Sequence, residues 1–465
     1  MLTTAHHADV VIVGAGVAGL CAAHQLIQAG VTVSVLEAAP YVGGRMSTER
    51  IDGFRLDRIG QVLSSAYPEL LRTPGLEGLA LRPFAPGVLV HSEGRHYRAG
   101  EVAGVRGAKA RAGVRGARGA LTAARALASA PRNGTAVGQS PGTPSSGSPA
   151  TRPLGGALDQ ARLNAALTRF AAAPVEKLLA RPELPALDAL FSRGLPSRTV
   201  EGFLRPLLSA LLCDPHLTTS SRCADLALRG FARGRLCLPE GGADTLPQLL
   251  AAALPPGTIR TGVHVTGASI SSVTTKEDGE LGCRSLLLAT GARAAAELLP
   301  GLRVPDFHPV TVLHHTTATA PATGSALVLE ADRSGPVSHT AVVSAVDPTR
   351  APDGRVLISS TVLGNPPPDL DHGVRSHLSR LYGTPTDDWE LLAVHHDPDA
   401  VPAMPAPHDV RRPVRLLSGL YVCGDHRETS TVQGALHSGR RAAEEILRDF
   451  GIRPGYAAEE LRDAA

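Results

Sequence analysis

The sequence predicts an α/β fold: a parallel sheet flanked by helices and assembled from separated stretches of chain, with an interleaved second domain of mixed β-sheet plus a helical cap. Three observations carry this. A strand, glycine turn, helix and second strand follow one another within residues 9–37. Two further apolar strands that end in glycine, Leu286–Gly291 and Gly419–Asp425, come hundreds of residues later. Before and between them, helical periodicity over about 155–236 gives way to alternating, strand-like runs over about 310–405.

The N-terminal unit sets the chemistry. Val10 to Val13 read as a buried parallel strand, and Gly14 permits the tight turn out of it. Gly16 lets a pyrophosphate approach the backbone, and Gly19 lets the following helix, Ala18 to Gln28, pack against the strand. Val17 and Ala18 open that helix, whose free N–H groups and positive dipole end face the phosphate. Gly30 ends it, and Glu37 closes the next strand 18 residues past Gly19. An acid there accepts both hydrogen bonds of a ribose diol and repels a 2′-phosphate, so FAD or NAD is expected over NADP. The unit is Rossmann-type.

Composition narrows the classes. At 465 residues and 43% hydrophobic content the chain can fill two or three lobes, and the expectation is a soluble, cytoplasmic protein. The net charge of +3, with no compact basic block interleaved with aromatics, gives no support for nucleic-acid binding. Six cysteines without a CxxC pair read as buried small residues rather than disulfides or metal ligands. Only three of the 46 basic residues are lysines, which limits any mechanism that needs one.

After Glu37, Gly43-Gly44-Arg45-Met46 places two glycines and a cation where the loop lies against the cofactor, and Arg45 can reach the pyrophosphate. Gly53 to Val62 alternates like a strand and delivers Gly60 and Gln61 near a second acid, Asp57. From about 102 to 153 the chain turns to Ala, Gly, Arg, Ser and Pro, a composition expected to form a flexible insertion. Its basic part, 106–125, would allow peripheral contact with an anionic membrane; a solvated basic arm fits the same residues. The strand Leu286–Ala289 then returns the chain to the nucleotide sheet at Thr290 and Gly291. Finally, the strand Gly419 to Cys423 ends in Gly424-Asp425, and a small-residue helix starts near Val432. An acid in that position can hold ribityl hydroxyls, and a helix N-terminus at Gln433, Gly434 and Ala435 can stabilise charge on a reduced flavin. NAD has no ribityl chain, so FAD is the expected cofactor.

These motifs in this order resemble the superfamily of flavin-containing amine oxidases, phytoene desaturases and protoporphyrinogen oxidases. The marks are GAGVAG at 14–19, GGRM at 43–46, LDRIGQVL at 56–63, LPEGGADTL at 238–246, LLLATG at 286–291 and YVCGDHRETSTVQGALHSGRRAA at 421–443. In the run Asp57-Arg-Ile-Gly60-Gln61-Val62 the chain is most similar to bacterial phytoene-dehydrogenase-like oxidoreductases. The resemblance implies a glutathione-reductase-like FAD-binding domain in which Glu37 binds the adenosine ribose, Arg45 the diphosphate, Val265 the adenine edge through its backbone, Asp425 the ribityl-phosphate region and Gln433 to Ala435 the flavin ring. The implied order is FAD-binding parts at 1–95, 237–300 and 411–465, an insertion at 96–155, a helical cap at 156–236 and a substrate-domain sheet at 301–410.

The family's amine oxidases carry a lysine over the flavin on the strand that here reads Pro309-Val310-Thr311-Val312, and an aromatic cage. This chain has no lysine there, and aromatics are 3% of its residues. Removal of two hydrogens from a small or lipophilic metabolite, as by an oxidase or desaturase, is therefore expected ahead of amine oxidation. A flavin-dependent isomerase and a non-enzymatic carrier like the GDP-dissociation inhibitors are further alternatives. No residue is demanded as acid or base; His426, Arg427, Glu428 and His437 are the candidates near the flavin. The pairs His314-His315 and His395-His396 resemble metal ligands, but neighbours on a strand point to opposite faces, so structural roles are expected.

Overall fold

The computed structural model describes residues 8–101 and 155–453. The insertion and its basic 106–125 stretch lie outside the described residues.

The first strand, Ala8–Val13, is apolar on both faces and almost fully buried from Val10 onward, as a central parallel strand must be. It is flanked in parallel by Val33–Glu37 on one side and by the second half of Gly279–Leu288 on the other. Ile259–Thr261 extends the sheet beyond Glu37, and Leu420–Val422 extends it beyond Leu288. Strands from three distant stretches of chain thus share one sheet. The helix Val17–Gln28 covers one face and packs against the C-terminal helix Val432–Asp449, with Leu20, Ala22, Leu26, Leu436, Ala442 and Ile446 in one core.

The second sheet runs in the order Glu390–Pro402, Phe307–Thr317, Val356–Leu363, Val337–Val342, Val328–Glu330, Val88–Ser92, Arg95–Ala99. Its neighbours are antiparallel except where Val328–Glu330 meets Val88–Ser92. Helices between Ala157 and Arg233 cover one face, and the helix Leu370–Tyr382 covers the other.

The expected boundary at residue 95 needs correction. Val88–Ser92 and Arg95–Ala99 form a hairpin in this second sheet, not in the nucleotide-binding one. Glu93 and Gly94 turn it with φ of +50° and +70°, the left-handed pair of a tight hairpin, and Val88, Val90 and Ala99 enter the core under the helices.

Arg350, in the turn before the strand Val356–Leu363, is buried. Its guanidinium binds Asp57 at 2.5 Å, Asp347 at 3.1 Å and the Pro239 carbonyl at 2.8 Å. All six cysteines are free and buried, and burial pushes the Cys21, Cys213 and Cys223 thiols up to about 12, so none is a thiolate nucleophile.

Burial also pushes His314, His339, His377 and His426 down to about 4. Unfolded, these imidazoles titrate near 6.5. Between those values the unfolded chain binds more protons, so their contribution is complete above about 6.5 and is lost as pH falls toward 4. Thermal unfolding followed in a pH series should show the melting temperature dropping steadily from neutral pH to pH 5; a flat profile over that window would contradict the burial of these four side chains.

Candidate functional site

The glycine turn divides its work among three positions. At Gly14, φ is +106°, and a Cβ would lie 2.9 Å from the Ala289 carbonyl oxygen. At Gly19 a Cβ would lie 2.2 Å from the Gly14 carbonyl oxygen, so only glycine lets the helix sit this close to the strand end. At Gly16 a Cβ would meet nothing within 4 Å, because that side of the turn opens on a cavity. Gly43 and Gly44 lie against this turn, with φ of +114° and +57°. The Gly43 N–H donates to the Ala15 carbonyl at 2.9 Å.

Glu37 is held by two backbone donors, the Ala15 N–H on Oε2 at 2.7 Å and the Ala39 N–H on Oε1 at 2.9 Å. Each carboxylate oxygen keeps a second lone pair for a ligand hydroxyl. The Val263 N–H donates to the Glu37 carbonyl, which brings Val263 and Val265 to the same end of the cavity.

The cavity has a volume of about 600 Å³. That is within the usual range for cofactor and ligand sites, about 300–1,000 Å³. Its lining includes Gly14, Gly16, Val17, Ala18, Glu37, Gly43, Gly44, Arg45, Gln61, Val265, Thr290, Gly291, Gly424, Asp425 and Ala435. The fold thus collects most of the expected cofactor contacts in one place. In the middle Arg45 spans the gap between them, donating to Asp425 Oδ1 at 2.6 Å and to the Ala400 carbonyl at 2.7 Å. Farther along, Gln61 donates to the Ser430 carbonyl at 3.0 Å. Both helix N-termini, Val17 with Ala18 and Thr431 with Val432, open on this cavity and direct their positive ends into it.

Several expected residues lie elsewhere. Gln433 turns away, its side-chain oxygen accepting the Glu69 N–H at 3.0 Å, and the Gly434 N–H is taken by the capping hydroxyl of Thr431. Thr431, Val432 and Ala435 line the cavity in their place, since residues three and four apart share a helix face. The acid–base candidates also need correction: His426, Glu428 and His437 are not in the lining. Glu428 accepts from Arg441 at 2.5 Å and lies 3.2 Å from His437 Nδ1. His426 is packed against Gly424, where a Cβ would lie 2.7 Å from the imidazole. These side chains brace the wall from behind.

Ile59 and Gln61 face the large cavity, whereas Gly60 and Val62 face a second, small chamber of about 40 Å³. The strand-like run 59–62 is therefore a shared wall. The chamber is lined by His314, His339, Ser359, Thr361, Asp57 and Arg350, among Phe84, Leu238, Val312 and Leu327. His314 is fully committed: Nε2 donates to the Asp57 carbonyl at 3.0 Å, which leaves Nδ1 to accept from the Ser359 hydroxyl at 2.8 Å. Its neighbour His315 points the opposite way, to Asp371 and Trp389. The carboxylate of Asp57 is used by Arg350, Thr48 and the Ala243 N–H.

The sequence reading missed Ser430, Thr431 and the pair Arg293–Asp399 in the lining of the large cavity. The signal for the last was the acidic run Asp397-Pro398-Asp399 inside the strand Glu390–Pro402.

The model of the family described as flavin containing amine oxidoreductase matches residues 17–447. Putrescine oxidase of Kocuria rosea is 53% identical over 68 residues, 15% of this chain and 14% of that protein. Carotenoid 3,4-desaturase of Haloarcula japonica is 51% identical over 49 residues, 10% of each. The matched segments thus span only a small part of these relatives. Among solved structures, a putative protoporphyrinogen oxidase from Exiguobacterium sp. 255-15 superposes with a TM-score of 0.65 at 16% identity, covering 95% of this chain and 98% of that one, which shows a shared fold. Among the described residues, no helix is long and apolar enough to cross a membrane.

The two glycines of the turn predict separable effects. Gly16→Val should leave the melting temperature within a degree or two but abolish retention of the cofactor, because the added atoms enter open cavity. Gly19→Val forces the helix off the strand and should cost roughly 1–3 kcal/mol or more of stability. Flavin absorbance and thermal melts of the purified variants check this; equal behaviour of the two would refute the assignment.

Proposed function

The chain belongs to the flavin containing amine oxidoreductase family, an FAD-dependent oxidoreductase family, and from that premise we propose that it removes two hydrogens from a small, uncharged metabolite, passing a hydride to FAD. FAD fits the residues present: Gly16 leaves space where the diphosphate needs it, and Glu37 presents an acid for a ribose diol. The bound flavin supplies the two-electron chemistry. Gly14 to Gly19, Glu37 and Val265 hold the adenosine end, Arg45 the diphosphate, Asp425 the ribityl region, and Gln61 with Thr431 and Val432 the ring end.

The observation that carries the substrate reading is the shared wall. Residues 59–62 face the large cavity with Ile59 and Gln61 and the inner chamber with Gly60 and Val62, so a group in the chamber lies beside the ring end. The chamber is small, and hydroxyls and imidazoles interrupt its apolar lining. An elongated lipophilic chain has no room in it. A cationic amine has no free counter-charge there, because Asp57 is already bound to Arg350. His314 is locked between Asp57 and Ser359, whereas His339 makes only a 3.5 Å approach to the Ser338 hydroxyl. Burial holds His339 in the neutral form, which can donate or accept one hydrogen bond from a substrate.

Anaerobic mixing of the FAD-loaded protein with a panel of small alcohols, other uncharged metabolites and amines tests the proposal. Bleaching of the oxidised-flavin band by uncharged members is expected, with His339→Gln raising KM about tenfold while flavin content stays unchanged; a lost hydrogen bond of about 1.4 kcal/mol gives that factor. Bleaching by amines alone, or turnover without any bleaching, would contradict it.

A further inference from the structure

Far along the second sheet, its one parallel seam among the described residues joins Val88–Ser92 to Val328–Glu330, with His91 and Glu330 opposite each other in register. The Ala331 N–H continues the ladder to the His91 carbonyl at 3.1 Å. The chain then folds back, and Asp332 accepts from the Ser92 hydroxyl at 2.6 Å and from the Glu93 N–H at 2.7 Å. One nitrogen of His91 and one carboxylate oxygen each of Glu330 and Asp332 consequently lie within 4.8 Å of one another.

Two features of this cluster are costly as they stand. His91 is 5% exposed, and neither ring nitrogen has a hydrogen-bond partner. A buried imidazole without a partner loses its hydration for nothing in return. Glu330 is equally buried; its carboxylate accepts from the N–H groups of Asp332 and Arg333 and from the Ser334 hydroxyl. Among the described residues no arginine or lysine pairs with Glu330 or Asp332. Two adjacent carboxylates and an unpartnered imidazole share one need, a cation. The donors on Glu330 and Asp332 fix the orientation of both carboxylates, as outer partners do around metal ligands.

We propose that His91, Glu330 and Asp332 bind one divalent transition-metal cation of the zinc or manganese type, with water on the exposed Asp332 side completing its coordination. One imidazole nitrogen with two carboxylate oxygens suits such ions. The site lies outside the cofactor cavity and the inner chamber, and its role is structural: it ties the edge hairpin Val88–Ala99 to the rest of the second sheet at the parallel pairing of Val88–Ser92 with Val328–Glu330. A ligand that binds only the folded chain raises its stability.

The test uses tag-free, FAD-loaded full-length protein stripped with EDTA and titrated calorimetrically with Zn²⁺ and, separately, Mn²⁺. One saturable site per chain is expected for at least one of them, with a rise of a few degrees in melting temperature at saturation. Asp332→Asn and His91→Gln should each weaken that binding about tenfold or more, with the flavin content unchanged. Asp332 is exposed, so its variant decides the matter even if the His91 variant fails to fold. Absence of saturable binding of both metals to the wild type, or equal affinity in wild type and Asp332→Asn, overturns the proposal.

Discussion

The two helices that open on the cofactor cavity touch backbone to backbone. A Cβ at Gly439, in the third turn of Val432–Asp449, would lie 2.2 Å from the carbonyl oxygen of Ala18, in the first turn of Val17–Gln28. No side chain fits in that crossing. Its consequence is positional: the helix that begins at the glycine turn and the helix that begins some 400 residues later keep their N-termini at a fixed separation, both aimed into the same cavity. The Cys21 thiol donating to the Leu436 carbonyl and the shared core of Leu20, Leu436, Ala442 and Ile446 hold the crossing closed. The turn Gly424-Asp425 is tied to the same helix through the Gly424 N–H and the Ser438 hydroxyl. Both ends of the cavity's glycine-rich lining are thereby set by one close approach.

A second constraint joins the hairpin Thr48–Asp57 and the loop 239–243 to the second sheet. Arg350 bridges Asp57, Asp347 and the Pro239 carbonyl, while Asp347 accepts the Gly241 N–H and Asp57 accepts the Ala243 N–H. The loop 239–243 is therefore laced through buried charges to Asp57, at the end of the short hairpin Thr48–Asp57, and to Asp347, beside the second sheet. Buried ion pairs recover little net stability after desolvation, and breaking one leaves an uncompensated charge. What the network supplies is a fixed geometry for the wall shared by the cofactor cavity and the inner chamber. The chamber's floor includes Asp57 and Arg350 themselves.

Much of this was legible because glycine has few reasons to recur at such spacing. Gly14, Gly16 and Gly19 disclosed the βαβ unit, and Gly43-Gly44-Arg45 and Gly424-Asp425 led to residues that meet in space as the Arg45–Asp425 pair. What escaped the sequence was partner choice. The boundary expected at residue 95 cut through the hairpin Val88–Ala99, because the choice of sheet depended on which core would take Val88, Val90 and Ala99. Gln433 lay in the right segment, yet its side chain turned to Glu69 because positions 431, 432 and 435 own the cavity face. His426, Glu428 and His437 were close in sequence to the cofactor motif, but none lines the cavity, and Glu428 is taken up by Arg441 and His437. Gly439 was visible as one small residue among several; its reason, Ala18, was not.

The position of both helix N-termini depends on the crossing of the two helices, and Gly439→Val disrupts that crossing at its closest point. The valine must push the helices apart at Ala18, so the purified variant should retain only a small fraction of the wild-type flavin and melt at a clearly lower temperature, although residue 439 itself does not line the cavity. A full complement of bound flavin at unchanged melting temperature would contradict the claim that this contact positions the site.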